Sequence, residues 1–171
     1  DDGIVLQASE TEFLRVMMNL CSNARDALSV DGPGSIKVVL EKLDPARELS
    51  KPLIGSKPQV PSALITVTDT GCGIENEDFA RIFEPFHTTK SYGTGLGLAV
   101  VSNVVTEAGG SIHIKSGING TAFQLVWPRA TWMSKATIAM PRMGRPNTLP
   151  CHSLVCSSRW RQVMARLCGS S

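Results

Sequence analysis

The chain has 171 residues with 17 Lys and Arg against 15 Asp and Glu, which leaves room for one domain and an appendage. The charge is split: residues 1–129 hold eleven bases and all fifteen acids, a net of −4, while residues 130–171 hold six bases and no acid. An acidic body excludes nucleic acid as the main ligand, and no run approaches the ~20 apolar residues of a membrane span or a signal peptide.

Five cysteines (Cys21, Cys72, Cys151, Cys156 and Cys168) form no CxxC pair. Their odd count and placement speak against a disulfide framework or a zinc site and for a reducing cytoplasm. The opening DDGIVLQASE lacks an initiator Met, so a piece of a longer protein is expected.

In chain order, Ile4–Leu6 reads as a short edge strand. Ser9 and Glu12 then have the spacing of a capping box, each able to satisfy an exposed N–H of the other's turn. A helix is expected to about Leu28, with Phe13, Val16, Met17, Leu20, Ala24, Ala27 and Leu28 as its buried stripe. Beside the stripe run Arg15, Asn19, Asn23 and Asp26. Asn disfavours helix interiors because its amide competes with the backbone. The Asn19/Asn23 pair is therefore either a solvated polar face or two neutral oxygens aimed at a hydrated cation or phosphates.

SVDGPGS (Ser29–Ser35) ends the helix, and Ser35–Leu43 alternates as a half-buried strand. Asp44–Ser62, with four prolines, reads as an exposed, mobile loop without chemistry. Ala63–Thr68 is the next strand, with Asp69 at its end on the face of Ile65 and Val67. That aspartate is either turn chemistry before Gly71 or a buried carboxylate kept for a specific donor.

Asn76 with Glu77 and Asp78 reads as the cap and acidic first turn of a helix burying Phe79, Ile82 and Phe83. Glu84–Tyr92, with Pro85, His87 and Lys90, is either a lid or an ordinary surface loop. Gly93-Thr94-Gly95-Leu96-Gly97 opens a second helix, with Leu96, Ala99, Val100, Asn103 and Val104 on one side and Gly109-Gly110 closing it. Glycines at a helix start leave N–H groups open to an anion, and the dipole favours phosphate there. Strands Ser111–Ser116 and Gly120–Trp127 follow, joined by the INGT turn. Phe123, Leu125 and Trp127 share a face with Thr121, and His113 faces out between Ile112 and Ile114.

This order implies an α/β two-layer sandwich, a mixed, mostly antiparallel sheet with helices on one face. It is neither a Rossmann nor a P-loop unit: GTGLGL follows a loop, and no GxxxxGK[ST] is present.

NLCSNARDAL, DTGCGI, FEPFHTTK, GTGLGLAVV and GTAFQLVWP together resemble the N box, first glycine box, F box, second glycine box and terminal strand of the catalytic ATP-binding domain of sensor histidine kinases. That family belongs to the Bergerat-type superfamily shared with gyrase B, MutL and the heat-shock chaperone ATPases. The match spans about residues 4–128, and its lid spacing is most similar to the nitrogen-regulation and PAS-linked hybrid kinases.

The resemblance implies roles. Asn23, helped by Asn19, binds magnesium. Asp69 accepts from the adenine amino group, Gly71 and Gly73 shape the adenine pocket, and Thr121 reaches the base through water. Gly93, Thr94, Gly95, Leu96 and Gly97 face the phosphates, Lys90 touches phosphate from the lid, and Phe83 and Phe86 anchor that lid. In hydrolysing relatives a Glu stands at the position of Asn19 as general base. An Asn cannot take a proton, so the resemblance implies phosphoryl transfer from Mg-ATP to a histidine rather than hydrolysis.

The chain's own His87, His113 and His152 match no phosphoacceptor helix. The acceptor is therefore expected on a dimerisation domain of the same parent, with a response regulator downstream. The parent would be a homodimer, cytoplasmic or membrane-anchored, and the fragment a monomer with little autokinase activity. A protein-serine kinase of the superfamily and a non-catalytic nucleotide sensor are the alternatives. Residues 1–129 are expected to form the catalytic domain. Residues 130–171, with a short basic helix at Ser158–Leu167, are read as a disordered tail or linker.

Overall fold

The computed structural model describes residues 4–28, 34–44, 46–75, 77–79, 81–90 and 93–130, and the backbone of 137–140. The turn expected at Ser29–Ser35, the Asn76 cap and most of 130–171, including His152 and the Ser158–Leu167 helix, fall wholly or largely outside these residues.

Strand β1 (Ile4–Gln7) leads into α1 (Glu10–Ala27). The Ser9 hydroxyl accepts from Glu12 N–H at 3.2 Å, and the Glu12 carboxylate accepts from Ser9 N–H at 3.1 Å, so the capping box is complete. The buried stripe is the expected one with Cys21 added, while Ala27 and Leu28 at its end are half-exposed. Leu28 is extended and stops the helix, its N–H turning back to Arg25 O at 3.2 Å.

The main sheet contains β2 (Ile36–Lys42), β3 (Ile54–Gly55), β4 (Ser62–Asp69), β5 (Ser111–Gly117) and β6 (Gly120–Pro128), with α2 (Gly97–Glu107) between β4 and β5. Its order is β2-β4-β6-β5-β3, and every neighbouring pair is antiparallel. Ile65, Val67, Ile112, Phe123, Leu125 and Trp127 project from one face into a single apolar cluster with the α1 stripe and Val101, Val104 and Val105 of α2. Both helices therefore cover the same face, as expected. Phe13 meets Trp127 edge-on with ring centroids 6.0 Å apart, and the indole N–H donates to Gln7 O at 3.0 Å.

Four expectations need correction. Residues 77–79 and 81–83 are turns rather than helix: the Asp78, Arg81 and Glu84 N–H groups each donate three residues back, and among the described residues here only Ile82 donates four back. So short a run before Pro85 gives too few bonds to offset helix nucleation. In α2 the buried residues are Ala99, Val101, Val104 and Val105, and Asn103 is exposed. Val101, Val104 and Val105 stand at helical spacing on the core side, while Asn103, Thr106 and Glu107 share the exposed side.

The third correction concerns the 44–62 loop. It remains largely exposed, but it is tied to the sheet by Leu53 N–H to Ile112 O at 2.8 Å and by β3 pairing with β5. The fourth follows from it. His113 does point away from Ile112 and Ile114, yet it is only 1% exposed. Its Nδ1–H donates to Ser50 O at 2.6 Å, and Nε2 accepts from the Ser111 hydroxyl at 3.1 Å. Burial lowers its pKa, the Lys57 charge acts in the same direction, and the Ser50 carbonyl opposes them.

A second, two-stranded sheet pairs β1 antiparallel with β7 (Thr137–Met140), and Ala130 N–H donates to Val5 O at 2.9 Å. Backbone pairing thus crosses the boundary expected after Arg129. Among the described residues no helix is long and apolar enough to cross a membrane.

Candidate nucleotide site

Asp69 ends β4 with 4% of its surface exposed. Its Oδ1 accepts from Gly71 N–H at 2.8 Å and from Thr121 N–H at 3.2 Å. The first bond closes the turn before Gly71, as one reading expects, and the second ties the buried carboxylate to β6. Among the described residues Oδ2 has no protein donor. A carboxylate with one oxygen fixed by two backbone N–H groups and the other unclaimed is a preorganised acceptor.

The loop after Asp69 is strapped on two sides. Cys72 N–H donates to Ala27 O at 3.1 Å at the end of α1. On the other side Gly73 has φ +79° and lies so close to the β5–β6 hairpin that a Cβ would sit 2.1 Å from Gly117 O. Ile74 N–H donates to the Ser116 hydroxyl at 2.7 Å, and that hydroxyl lies 2.9 Å from Thr121 Oγ1. Ser116 thus couples the glycine loop to Thr121. Sequence reasoning missed it, although its even spacing from Ile112 and Ile114 on β5 puts it on their face.

At the other end α2 begins at Gly97 with Leu96 as N-cap, and no side chain caps it. Leu96 N–H reaches Thr94 Oγ1 at 3.4 Å, and Gly93 packs against Thr88 and Lys90. Gly95 has φ +67°, and a Cβ there would lie 2.4 Å from the Phe86 carbonyl carbon. Gly95 O accepts from Phe86 N–H at 2.9 Å. Phe83 is buried, whereas Phe86 is 75% exposed, so the Phe86 backbone and not its ring fastens residues 84–90 to the Gly93–Gly97 turn. Phe86 itself has φ +67°, a conformation that disfavours a bulky residue and is held by this bond.

Asn19 and Asn23 come from α1. Asn19 Nδ2 donates to Arg15 O at 2.8 Å, which orients the amide so that Oδ1 faces the start of α2, 2.8 Å from where a Gly97 Cβ would be. Asn23 Oδ1 accepts from Lys90 Nζ at 2.9 Å. Lys90 also reaches Asp26 Oδ2 at 2.8 Å, while Arg25 lies 3.2 Å from Oδ1 of the same carboxylate. Partial burial pushes the Asp26 carboxyl up, but Lys90 and then Arg25 overcome this and hold its pKa below the ordinary aspartate value.

The expected residues therefore gather at two ends joined by α1. Asp69, Gly71, Gly73 and Thr121 form one; Asn19, Asn23, Lys90 and the Gly93–Gly97 turn form the other. Leu96 is partly exposed and contributes backbone alone. The Asn23 and Asp26 oxygens already hold a cation, the Lys90 ammonium, so their chemistry fits a hard, oxygen-preferring metal. Among the described residues no cluster of three or more His, Cys, Asp or Glu exists, so such a metal would need oxygens from a ligand. A hollow of about 560 Å³ between the 46–52 loop, Lys57 and His113 contains none of these residues.

The family model described as histidine kinase-, DNA gyrase B- and HSP90-like ATPase matches residues 8–131. Sensor kinase CckA of Brucella abortus is 35% identical over 127 residues, which cover 72% of this chain and 13% of that protein. Sensor histidine kinase ZraS of Salmonella typhimurium is 35% identical over 122 residues, 71% of this chain and 23% of that protein. The chain thus spans less than a quarter of either relative. Among solved structures, the catalytic domain of histidine kinase ThkA superposes with a TM-score of 0.56 at 30% identity, covering 72% of this chain and 70% of that one.

Proposed function

The chain belongs to the histidine kinase-, DNA gyrase B- and HSP90-like ATPase family, and we propose that it binds Mg-ATP and donates the γ-phosphate to a histidine on a separate phosphoacceptor domain. Asp69 Oδ2 would take the adenine amino group, with Thr121 and the Gly71–Gly73 loop framing the base. The uncapped start of α2 offers backbone donors to the phosphates. Asn19 and Asn23 would hold magnesium, which would supply the positive charge that neutralises the phosphates. Lys90 adds a positive charge from the lid.

The observation that carries donation rather than hydrolysis is Asn19. Its amide is committed to Arg15 O and turns a neutral oxygen toward the Gly97 turn. An amide oxygen positions a phosphate or a metal, but it cannot remove a proton from water. Phosphoryl transfer depends mainly on positioning and charge stabilisation, which this site supplies without a base. The acceptor domain, a downstream response regulator, a homodimeric parent and a cytoplasmic location for this module belong to the same proposal. So does the division into a catalytic domain at 1–129 and a basic tail or linker from 130, a boundary that the pairing of β1 with β7 crosses.

The test supplies the parent's phosphoacceptor domain in trans with γ-labelled ATP. Acid-labile, base-stable phosphate on that domain is expected. The reverse stability would identify a serine kinase, and ATP binding without any transfer would identify a nucleotide sensor.

A further inference from the structure

The contact of Lys90 with α1 has no part in holding phosphate, yet it spans 64 residues and fastens the lid to the helix that carries Asn19 and Asn23. Asn23 and Asp26 stand three residues apart and so share one face of α1. Their oxygens hold one ammonium at 2.9 and 2.8 Å. Arg25 occupies the other oxygen of Asp26, which leaves Oδ2 to Lys90. The lysine and aspartate side chains are 41% and 34% exposed, so water screens the pair and makes it easy to exchange.

We propose that Asn23 is a cation seat with two successive occupants, the Lys90 ammonium that it shares with Asp26 in the nucleotide-free domain and the magnesium that it shares with Asn19 when a nucleotide arrives. The proposal rests on the nucleotide reading above. Two neutral amide oxygens are too few for free magnesium, which keeps a near-octahedral oxygen shell and dehydrates reluctantly. Phosphate oxygens complete that shell. When the metal takes Asn23, Lys90 loses a partner and gains a stronger one in the phosphates, and residues 84–90 follow it. Asp26 acts as a positioning residue: it holds the lysine beside the place where phosphate charge will appear.

Amide hydrogen exchange at Phe86, His87, Lys90 and Gly93 reads this latch without any turnover. Their N–H groups donate to Gly95 O, Glu84 O, Thr88 Oγ1 and Lys90 O. In the 171-residue chain without nucleotide, Asp26→Asn and Lys90→Met should each speed exchange about two- to fivefold, the range of a partly exposed ion pair. The double variant should go no further than either single one. Magnesium chloride alone should leave wild-type exchange unchanged. With magnesium and a non-hydrolysable ATP analogue, wild type and Asp26→Asn should become alike.

Unchanged exchange in both single variants, or additive effects, would overturn the seat. Lid release by magnesium alone would make it a free metal site and overturn delivery with the nucleotide. A difference between wild type and Asp26→Asn that persists with the analogue bound would overturn the exchange of occupants alone. Failure of the wild-type chain to bind the analogue would instead overturn the nucleotide reading and the second occupant with it.

Discussion

Replacing Asp69 separates what its two oxygens do. Oδ1 accepts from two backbone N–H groups, at 2.8 Å from Gly71 and 3.2 Å from Thr121, at a residue 4% exposed. In Asp69→Asn the amide oxygen can keep both bonds, so the fold should lose less than ~1 kcal/mol. The amide NH₂ then stands where Oδ2 was, and a donor faces the adenine amino group. Losing a hydrogen bond to a charged acceptor costs about 1.5–3 kcal/mol, roughly a ten- to hundredfold loss of ATP affinity. Guanine carries an oxygen at the corresponding position, so GTP should lose less and the preference for ATP should shrink. Asp69→Ala should strand both buried N–H groups at about 1–3 kcal/mol each and lower the unfolding midpoint as well. Calorimetric titration with each nucleotide, beside thermal unfolding, gives all of these numbers. A folded Asp69→Asn domain with undiminished ATP affinity would refute the assignment of Oδ2, and an Ala variant as stable as the Asn variant would refute the role of Oδ1.

The other predictions concern the metal, the lid and two titrating groups. Asn23→Ala should reduce nucleotide affinity about tenfold in magnesium and change it little in EDTA, measured by calorimetry. Gly95→Ala places a Cβ against the Phe86 backbone at φ +67°; a left-handed Ala alone costs about 1–2 kcal/mol, so protection of the Phe86 amide should fall by tenfold or more in hydrogen exchange. Ser9→Ala should cost about 1 kcal/mol in chemical denaturation. The Ser9 hydroxyl and then its N–H hold the Glu12 carboxyl below its ordinary value, so that stability is present above the unfolded pKa and lost as pH falls through the folded one; the variant loses the hydroxyl and keeps the N–H, so this acid-side slope should shrink. His113 is likewise depressed, here by burial first, so the unfolded chain binds its proton at higher pH than the folded one. Stability should therefore be full above the unfolded histidine pKa of about 6.5 and fall as pH drops toward the folded value, and His113→Gln should flatten that segment in pH-dependent unfolding.

The elements legible from sequence were those with strong local rules. The Ser9–Glu12 box, the α1 stripe and the alternation in β4, β5 and β6 each commit the backbone by themselves. Asp69 and Thr121 were legible because strand parity put them on the core face. What was not legible depended on partners distant in sequence. Parity placed His113 on the far side of the sheet correctly, but its burial comes from Ser50, 63 residues away. Phe86 read as an apolar anchor, whereas its ring is exposed and its N–H is spent on Gly95, a bond that no periodicity encodes. Residues 77–84 had helical spacing but too few residues to form a helix before Pro85.

The two ends of the site share one structural support, which makes their separation a property of α1. Ala27 O receives Cys72 N–H and positions the loop after Asp69. Asn19, two turns earlier, touches the start of α2, while Asn23 and Asp26 between them hold the lid through Lys90. At 1.5 Å per residue, the eight residues from Asn19 to Ala27 span roughly 12 Å, the order of length that separates a purine from its terminal phosphate. On the proposed nucleotide reading, a helix packed by Phe13, Val16, Met17, Leu20 and Ala24 would work as a ruler between base and phosphates. Residues 84–90, by contrast, are tied to the rest of the site by the Phe86–Gly95 backbone bond and by the contacts of Lys90 with Asn23 and Asp26, the latter a screened ion pair. A well-packed helix and cheap exchange at residues 84–90 would suit the proposed function, in which ATP is held in one register while its γ-phosphate opens to a second domain.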